Sequence, residues 1–336
     1  MKAPLDTIDL PTDVNYTLNM QGKNKVYVRS LESRLRSVIA KKHSALLFGP
    51  RQVGKTTLIQ GLLRGKADTL QFPLQNPEVK LALERDPGLL IRQLQARRSR
   101  GYVFVDEAQK VPALFDAIQY SIDEKLASFL VTGSSARKLR RKGANLLPGR
   151  VKMFRLDPFS WSELGWIKNS ELKELKLEAI RQKVHYSFAQ SLVFGSLPGI
   201  VKLPNDEERR EFLKSYAQIY LEEEIRAEAL SRKIGAFSIF LELAAQESGT
   251  HPNLTKLSME AGVSVPALKE FFQVLEDTLI VEQVRPYLKN ARKRILSLPR
   301  YYFFDLGVRN ALARLPAIAV VINAVRDQGI IIGGMK

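Results

Sequence analysis

Two glycines, a lysine and two threonines stand within nine residues, Gly49-Pro50-Arg51-Gln52-Val53-Gly54-Lys55-Thr56-Thr57. The first eight fit the pattern G-x-x-x-x-G-K-[ST]. An apolar run, Ala45-Leu46-Leu47-Phe48, precedes them and a helical texture follows, which is the context this motif needs. The chemistry is phosphate binding. Gly49 and Gly54 let the backbone bend so that successive N–H groups point at phosphate oxygens. A helix starting near Lys55 adds its positive end. Lys55 brings a point charge to the β- and γ-phosphates, and the Thr56 hydroxyl is a ligand for Mg2+. Thr57 supports the helix start or contacts the α-phosphate. ATP and Mg2+ are the expected cofactors.

A second cluster follows at Tyr102-Val103-Phe104-Val105-Asp106-Glu107, an apolar strand ending in two carboxylates. Asp106, at the strand's end, is expected to hold Mg2+ through water. Glu107 is placed to orient and deprotonate an attacking water. The third cluster is Phe129-Leu130-Val131-Thr132-Gly133-Ser134-Ser135. Thr132 and Ser134 are candidates to sense the γ-phosphate or to position that water. Their other role is to end the strand and cap the next helix. Phosphoryl transfer also calls for an arginine. The stretch Arg137-Lys138-Leu139-Arg140-Arg141-Lys142 and the later Gly149-Arg150 supply candidates. Arg150 follows a Pro-Gly turn just before a strand and is the candidate of choice, acting within the chain or from a neighbouring subunit.

The elements that must position these groups are legible in the texture. Residues 26–42 carry Leu31, Leu35, Val38 and Ile39 at helical spacing. Short apolar runs at 45–48, 102–105 and 129–131, with a further strand over 151–156, alternate with helical stretches. That alternation predicts βαβ units and a parallel sheet. Pro158 marks a boundary. From Trp161 onward helices dominate, over 171–188, 207–231 and 235–248. Residues 254–261, the turn Gly262-Val263-Ser264, and 265–278 fit helix-turn-helix. Strands over 279–287 and 300–304 then flank the basic turn Lys289-Asn290-Ala291-Arg292-Lys293-Arg294, the outline of a winged helix. The predicted organisation is a loose lead-in over 1–25, a P-loop core over 26–165, a helical region over 166–250, a winged-helix-like subdomain over 251–315 and a divergent tail over 316–336. The fold class is α/β, a P-loop NTPase core with a parallel sheet flanked by helices, followed by the helical region.

Taken together, these residues resemble the AAA-type ATP-binding proteins of bacteria and archaea that pair an AAA_14-like core with a DUF4143 region. Besides the P-loop, three segments carry the likeness. They are Val105-Asp106-Glu107-Ala108-Gln109-Lys110-Val111-Pro112, the run from Leu130 to Leu139 with Gly143-Ala144-Asn145-Leu146-Leu147-Pro148-Gly149-Arg150, and Pro158-Phe159-Ser160-Trp161-Ser162-Glu163-Leu164. The resemblance extends over residues 26–315. It implies a STAND- or AAA-like core, ATP as the nucleotide and a winged-helix-like piece near Asp305-Leu306-Gly307. Two departures stand out. Leu74-Gln75-Asn76-Pro77 replaces the Asp-rich turn that family members often have after the second strand. Residues 317–336 do not match the restriction-endonuclease-like domain that usually follows, so no nuclease-like activity is expected.

Composition narrows the remaining classes. The chain has 336 residues and no cysteine, which excludes disulfides, thiolate zinc sites and cysteine nucleophiles. His43, His185 and His251 show no ligand spacing. No apolar run reaches the roughly 18 residues of a membrane span. The first 20 residues lack the pattern of a signal peptide, so a cytoplasmic protein is expected, with no membrane partner. Lys plus Arg total 52 against 35 acidic residues, and the net charge of +17 favours acidic partners. The leading expectation is an ATPase whose second half couples nucleotide state to a protein partner, with a homo-oligomer as one form. The others are an ATP-gated nucleic-acid-binding regulator and a scaffold that binds nucleotide without turnover. Against nucleic acid, the helix over 265–278 carries Lys269 but also Glu270, Glu276 and Asp277.

Overall fold

The computed structural model describes residues 27–66, 68–97, 99–134, 149–166, 185–227, 234–287 and 299–315. Its first half opens with α1 (Glu32–Ala40), which buries Leu35, Val38 and Ile39 from one face. Strand β1 (Ser44–Phe48) follows, then the glycine-rich loop and α2 (Lys55–Leu63). Next come β2 (Thr69–Pro73), α3 (Pro77–Arg85) and α4 (Gly88–Gln95). Strand β3 (Tyr102–Asp106) leads through a 3-10 turn at Ala108–Lys110 into α5 (Leu114–Asp123). Strands β4 (Ser128–Gly133) and β5 (Val151–Arg155) complete the sheet.

The five strands pair in the order β2-β3-β4-β1-β5, every pair parallel. A parallel sheet is covered on both faces, so its strands read as continuous apolar runs rather than as alternating ones. The side-chain alternation is nonetheless present in the packing. Leu46, Val103, Val105, Phe129 and Val131 pack with residues of α3, α4 and α5. Ala45, Leu47, Phe104 and Leu130 pack on the other face with α1 and α2. Strand β2 is marked by no apolar run of its own; only the resemblance, through the turn at Leu74-Gln75-Asn76-Pro77, implies a strand there. Only Phe72 of its five residues is buried, so the apolar signal of a central strand is missing.

The second half holds α6 (Phe188–Phe194), α7 (Pro198–Lys202), α8 (Asp206–Ala227) and α9 (Ile234–Gln246). It continues with α10 (Leu254–Glu260) and α11 (Val265–Asp277), then β6 (Val281–Val284), β7 (Arg300–Phe303) and α12 (Leu306–Leu312). Strands β6 and β7 form a separate antiparallel ribbon in which Val281 faces Phe303. The rings of Phe237, Phe240, Phe271 and Phe272 meet edge-on or tilted, 4.9–5.8 Å apart, and seal α9 against α11. The lead-in, most of the stretch 171–188, the basic stretch at 137–142, the basic turn at 289–294 and the tail lie outside the described residues. Among the described residues no helix is long and apolar enough to cross a membrane.

Candidate active site

Parallel pairing brings the carboxyl ends of all five strands to one edge, where ligands of open α/β sheets bind. Strand β4 lies between β1 and β3. Its last residues are therefore inserted between the glycine-rich loop after β1 and the carboxylates after β3. Register places Thr132 beside Leu47 and Gly133 beside Phe48, while Val131 sits beside Val105. Three segments that are about 80 residues apart at the extremes are thus fixed against one another by backbone hydrogen bonds.

The loop has the backbone its motif requires. Gly54 lies at φ +92°, a left-handed conformation that disfavours any side chain, and it caps α2. A Cβ at Gly49 would stand 2.0 Å from the Leu156 carbonyl oxygen, so only glycine fits there. Lys55 is buried and donates to the carbonyls of Gly49 and Pro50 at 2.9 and 2.8 Å. Its ammonium lies 4.0 Å from the Glu107 carboxylate. Burial pulls the Lys55 pKa down, while Glu107 and Asp106 push it back up.

Asp106 is the hub. The Thr56 hydroxyl donates to its two oxygens at 2.8 and 3.0 Å, the Thr132 hydroxyl donates at 2.5 Å, and the Gln75 amide reaches it at 3.4 Å. Thr132 also accepts the Glu107 backbone N–H at 3.0 Å. Glu107 itself sits at φ 57°, a left-handed turn that swings its side chain toward the loop. Its Oε2 accepts the Ser134 hydroxyl at 2.8 Å and the Gln109 amide. The two neighbouring carboxyls diverge. Burial holds Asp106 above the usual carboxylate range despite its hydroxyl donors. Burial would also raise Glu107, but Lys55, Gln109, Ser134 and Arg51 outweigh it and hold that carboxyl below the usual range.

This geometry coincides with what the chain is similar to. Residues 41–165 match the family described as AAA domain, and residues 185–318 match a domain of unknown function, DUF8612. Residues 41–165 are thus similar to AAA domains, and their fold is that of a P-loop NTPase. The second match is DUF8612, where the resemblance in the sequence pointed to DUF4143. An uncharacterised protein of Mycobacterium tuberculosis is 26% identical over 286 residues, covering 84% of this chain and 59% of its own length. An uncharacterised protein of Methanocaldococcus jannaschii is 24% identical over 202 residues, covering 59% of this chain and 44% of itself. The chain thus spans about three fifths of the mycobacterial relative it matches. Among solved structures, a Walker-type ATPase of Pyrococcus abyssi superposes with a TM-score of 0.54 at 14% identity, over 86% of this chain and 97% of its own. That likeness is one of fold.

The carboxyl edge of the sheet brings together Lys55, Thr56, Asp106, Glu107, Thr132 and Ser134. Arg51, Gln52, Val53 and Gly54 form the turn of the loop, with Gln52 also left-handed at φ 63°. Thr57 is exposed at the start of α2. Arg150 does not join the cluster. It precedes β5, whose first residue, Val151, pairs with Ser44 at the amino edge of the sheet. Five residues of β1 then separate it from the loop, about 16 Å at strand rise. There it pairs with Asp123 at 2.6 Å. The reading of Arg150 as an arginine acting on this chain's own site is therefore corrected: strand direction carries it to the wrong edge. Sequence reasoning also missed Gln75, Gln109, Arg29 and Glu163. Gln75 stands in the turn where the resemblance leads one to expect acid. Gln109 and Glu163 lie in the segments that carry the resemblance, where nothing local marks their partners. Nothing in local sequence marks Arg29.

Proposed function

We propose that this protein binds ATP with Mg2+ and hydrolyses it, and that its second half conveys the nucleotide state to a protein partner. The observation that supports this best is the continuous hydrogen-bonded set Thr56–Asp106–Thr132–Glu107–Ser134 beside the buried Lys55, at the carboxyl edge of a P-loop sheet. A loop that only gripped phosphate would need Lys55 and the amides. It would not need a second carboxylate held 4.0 Å from that lysine and braced by two polar side chains.

In the reaction, Lys55 leaves its loop carbonyls for the β- and γ-phosphate oxygens, and the amides of the loop and of the α2 start hold the same groups. The Thr56 hydroxyl and the Asp106 carboxylate are a donor set that fits Mg2+, which takes few protein oxygens and completes its shell with phosphate and water. When bound there, the ion neutralises charge developing on the phosphoryl oxygens. Glu107 orients a water and accepts its proton as the oxygen attacks the γ-phosphorus and the bond to the bridging oxygen breaks. Thr132 holds the Asp106 carboxylate through its hydroxyl proton and the Glu107 backbone N–H through its oxygen lone pair. Ser134 and Gln109 set the direction of the Glu107 carboxylate.

A second reading is an ATP-gated nucleic-acid binder. The net charge of +17 and the strongly exposed Tyr287, which precedes the basic sequence at 289–294, favour it. The winged-helix-like outline of α10, α11 and the ribbon belongs to this reading and equally to protein docking. Phosphate release from ATP, with and without Mg2+ and with and without duplex DNA, tests both. Mg2+-dependent release unaffected by DNA is the expected result. Acceleration by DNA moves the second reading to first place. Binding without release makes the protein a nucleotide-gated scaffold.

A further inference from the structure

The segment Pro158–Leu164 and the residues before α1 take no part in the chemistry above, yet they hold a buried ion pair. Arg29 is 7% exposed and Glu163 is 2% exposed. All three nitrogens of Arg29 donate. Its Nε donates to Glu163 Oε1 at 3.2 Å, its Nη1 to the Val53 carbonyl at 2.8 Å and its Nη2 to the Asp157 carbonyl at 2.6 Å. The guanidinium carbon lies 4.7 Å from the centre of the Phe159 ring. Glu163 Oε1 also accepts the backbone N–H and hydroxyl of Ser30 at 2.7 and 2.9 Å, and its Oε2 accepts the Ser160 N–H at 3.0 Å. Burying two charges costs nearly what their attraction returns, so such a pair is weak evidence for stability as such. What it supplies is a fixed geometry.

That geometry bears on the phosphate cradle. Val53 is fully buried and stands between Gln52 and Gly54, the two left-handed residues of the loop. The carbonyl of Val53 and the N–H of Gly54 belong to one planar peptide unit, in which they point in opposite directions. Holding the carbonyl from behind therefore aims the Gly54 N–H toward the phosphate side. The anchor is itself seated on the second half of the chain. Phe159 N donates to the Ser196 carbonyl at 2.9 Å, and Ser196 N donates to Asp305 Oδ2 at 2.7 Å. A Cβ built on Gly54 would lie 3.9 Å from Pro198 of α7.

We propose that Arg29, held by Glu163, is a positioning residue for nucleotide binding: it sets the Val53–Gly54 peptide of the P-loop from the junction with the second half. This rests on the reading of the loop as an ATP site. The test compares the full-length chain with Arg29→Lys, Arg29→Met and a control, Phe271→Leu, which loosens the aromatic packing between α9 and α11. Urea unfolding and the Kd values for ATP and ADP are measured for each. Arg29→Lys keeps a charge for Glu163 but lacks the fork to reach both carbonyls. Its Kd for both nucleotides is expected to rise about tenfold to a hundredfold, whereas Phe271→Leu, though less stable, binds as wild type does. If Arg29→Lys binds within about twofold of wild type, or if Phe271→Leu loses as much affinity as Arg29→Lys, the positioning role is overturned. Arg29→Met is expected to bind more weakly still, and its failure to fold leaves the Lys variant to decide. If the wild-type chain binds neither nucleotide, the ATP reading fails first and this proposal falls with it.

Discussion

Replacing Thr132 by valine removes one hydroxyl and keeps the side chain's shape, so its effects report on two hydrogen bonds. The hydroxyl donates to Asp106 Oδ1 at 2.5 Å and accepts the Glu107 N–H at 3.0 Å. The residue is fully buried, so no water replaces it. A hydrogen bond to a buried charged group contributes about 1.5–3 kcal/mol, and a buried N–H left without an acceptor costs about 1–3 kcal/mol. Asp106 retains Thr56 and Gln75, which places its loss at the low end. The expected destabilisation is about 3 kcal/mol, read by urea unfolding followed by circular dichroism. Turnover of ATP should fall on the order of a hundredfold, because the Asp106 carboxylate loses a donor and the Glu107 backbone loses the acceptor that fixes its turn. The Kd for ATP should change far less, since the loop and Lys55 are untouched. Thr132→Ser keeps the hydroxyl and should recover most of the activity. A valine variant as stable and as active as wild type would refute the reasoning, and so would a serine variant no better than valine.

Two other perturbations give distinct readouts. Asp305 is buried and caps α12, and burial pushes its carboxyl up from the ordinary 3.8 to about 6 despite the N–H groups of Ser196, Val308 and Gly307. A raised carboxyl favours the folded state while protonated, so this contribution is full below about pH 4 and is lost as pH rises through about 6. The difference corresponds to about 3 kcal/mol, and Asp305→Asn should flatten that part of the profile of unfolding free energy against pH; an unchanged profile contradicts it. Arg150→Ala removes an exposed partner of Asp123 at the far edge of the sheet, so turnover of dilute protein should stay within about twofold of wild type. A larger loss that deepens with protein concentration would show that the arginine serves a neighbouring subunit.

What was legible in the sequence follows from how local each signal is. The P-loop and the Asp106-Glu107 pair are contiguous, and their chemistry dictates residue types at adjacent positions. The strands β1, β3 and β4 were legible because burial on both faces leaves unbroken apolar runs. β2 was not, since four of its five side chains are half-buried or exposed at the sheet's edge. Arg29 meets Glu163 across 134 positions and Val53 across 24, and no local pattern announces such a contact. Gln109 carries no local signal because an amide has no chemistry of its own there; its part is to steer Glu107. Arg150 misled for the opposite reason. Its neighbours in sequence are suggestive, but strand direction, which sequence shows only after topology is known, takes it to the other edge.

The central claim is that Glu107 is the base of a working ATPase. Glu107→Gln keeps the size of the side chain and its reach to Ser134 while removing the capacity to take a proton from water. The measurement is phosphate release from ATP, with Mg2+, for wild type and variant, beside the Kd for ATP of each. The account predicts Mg2+-dependent release by wild type, release by the variant lower by a factor of about a hundred or more, and similar or tighter ATP binding by the variant. Equal rates of release in the two proteins at equal binding would contradict it.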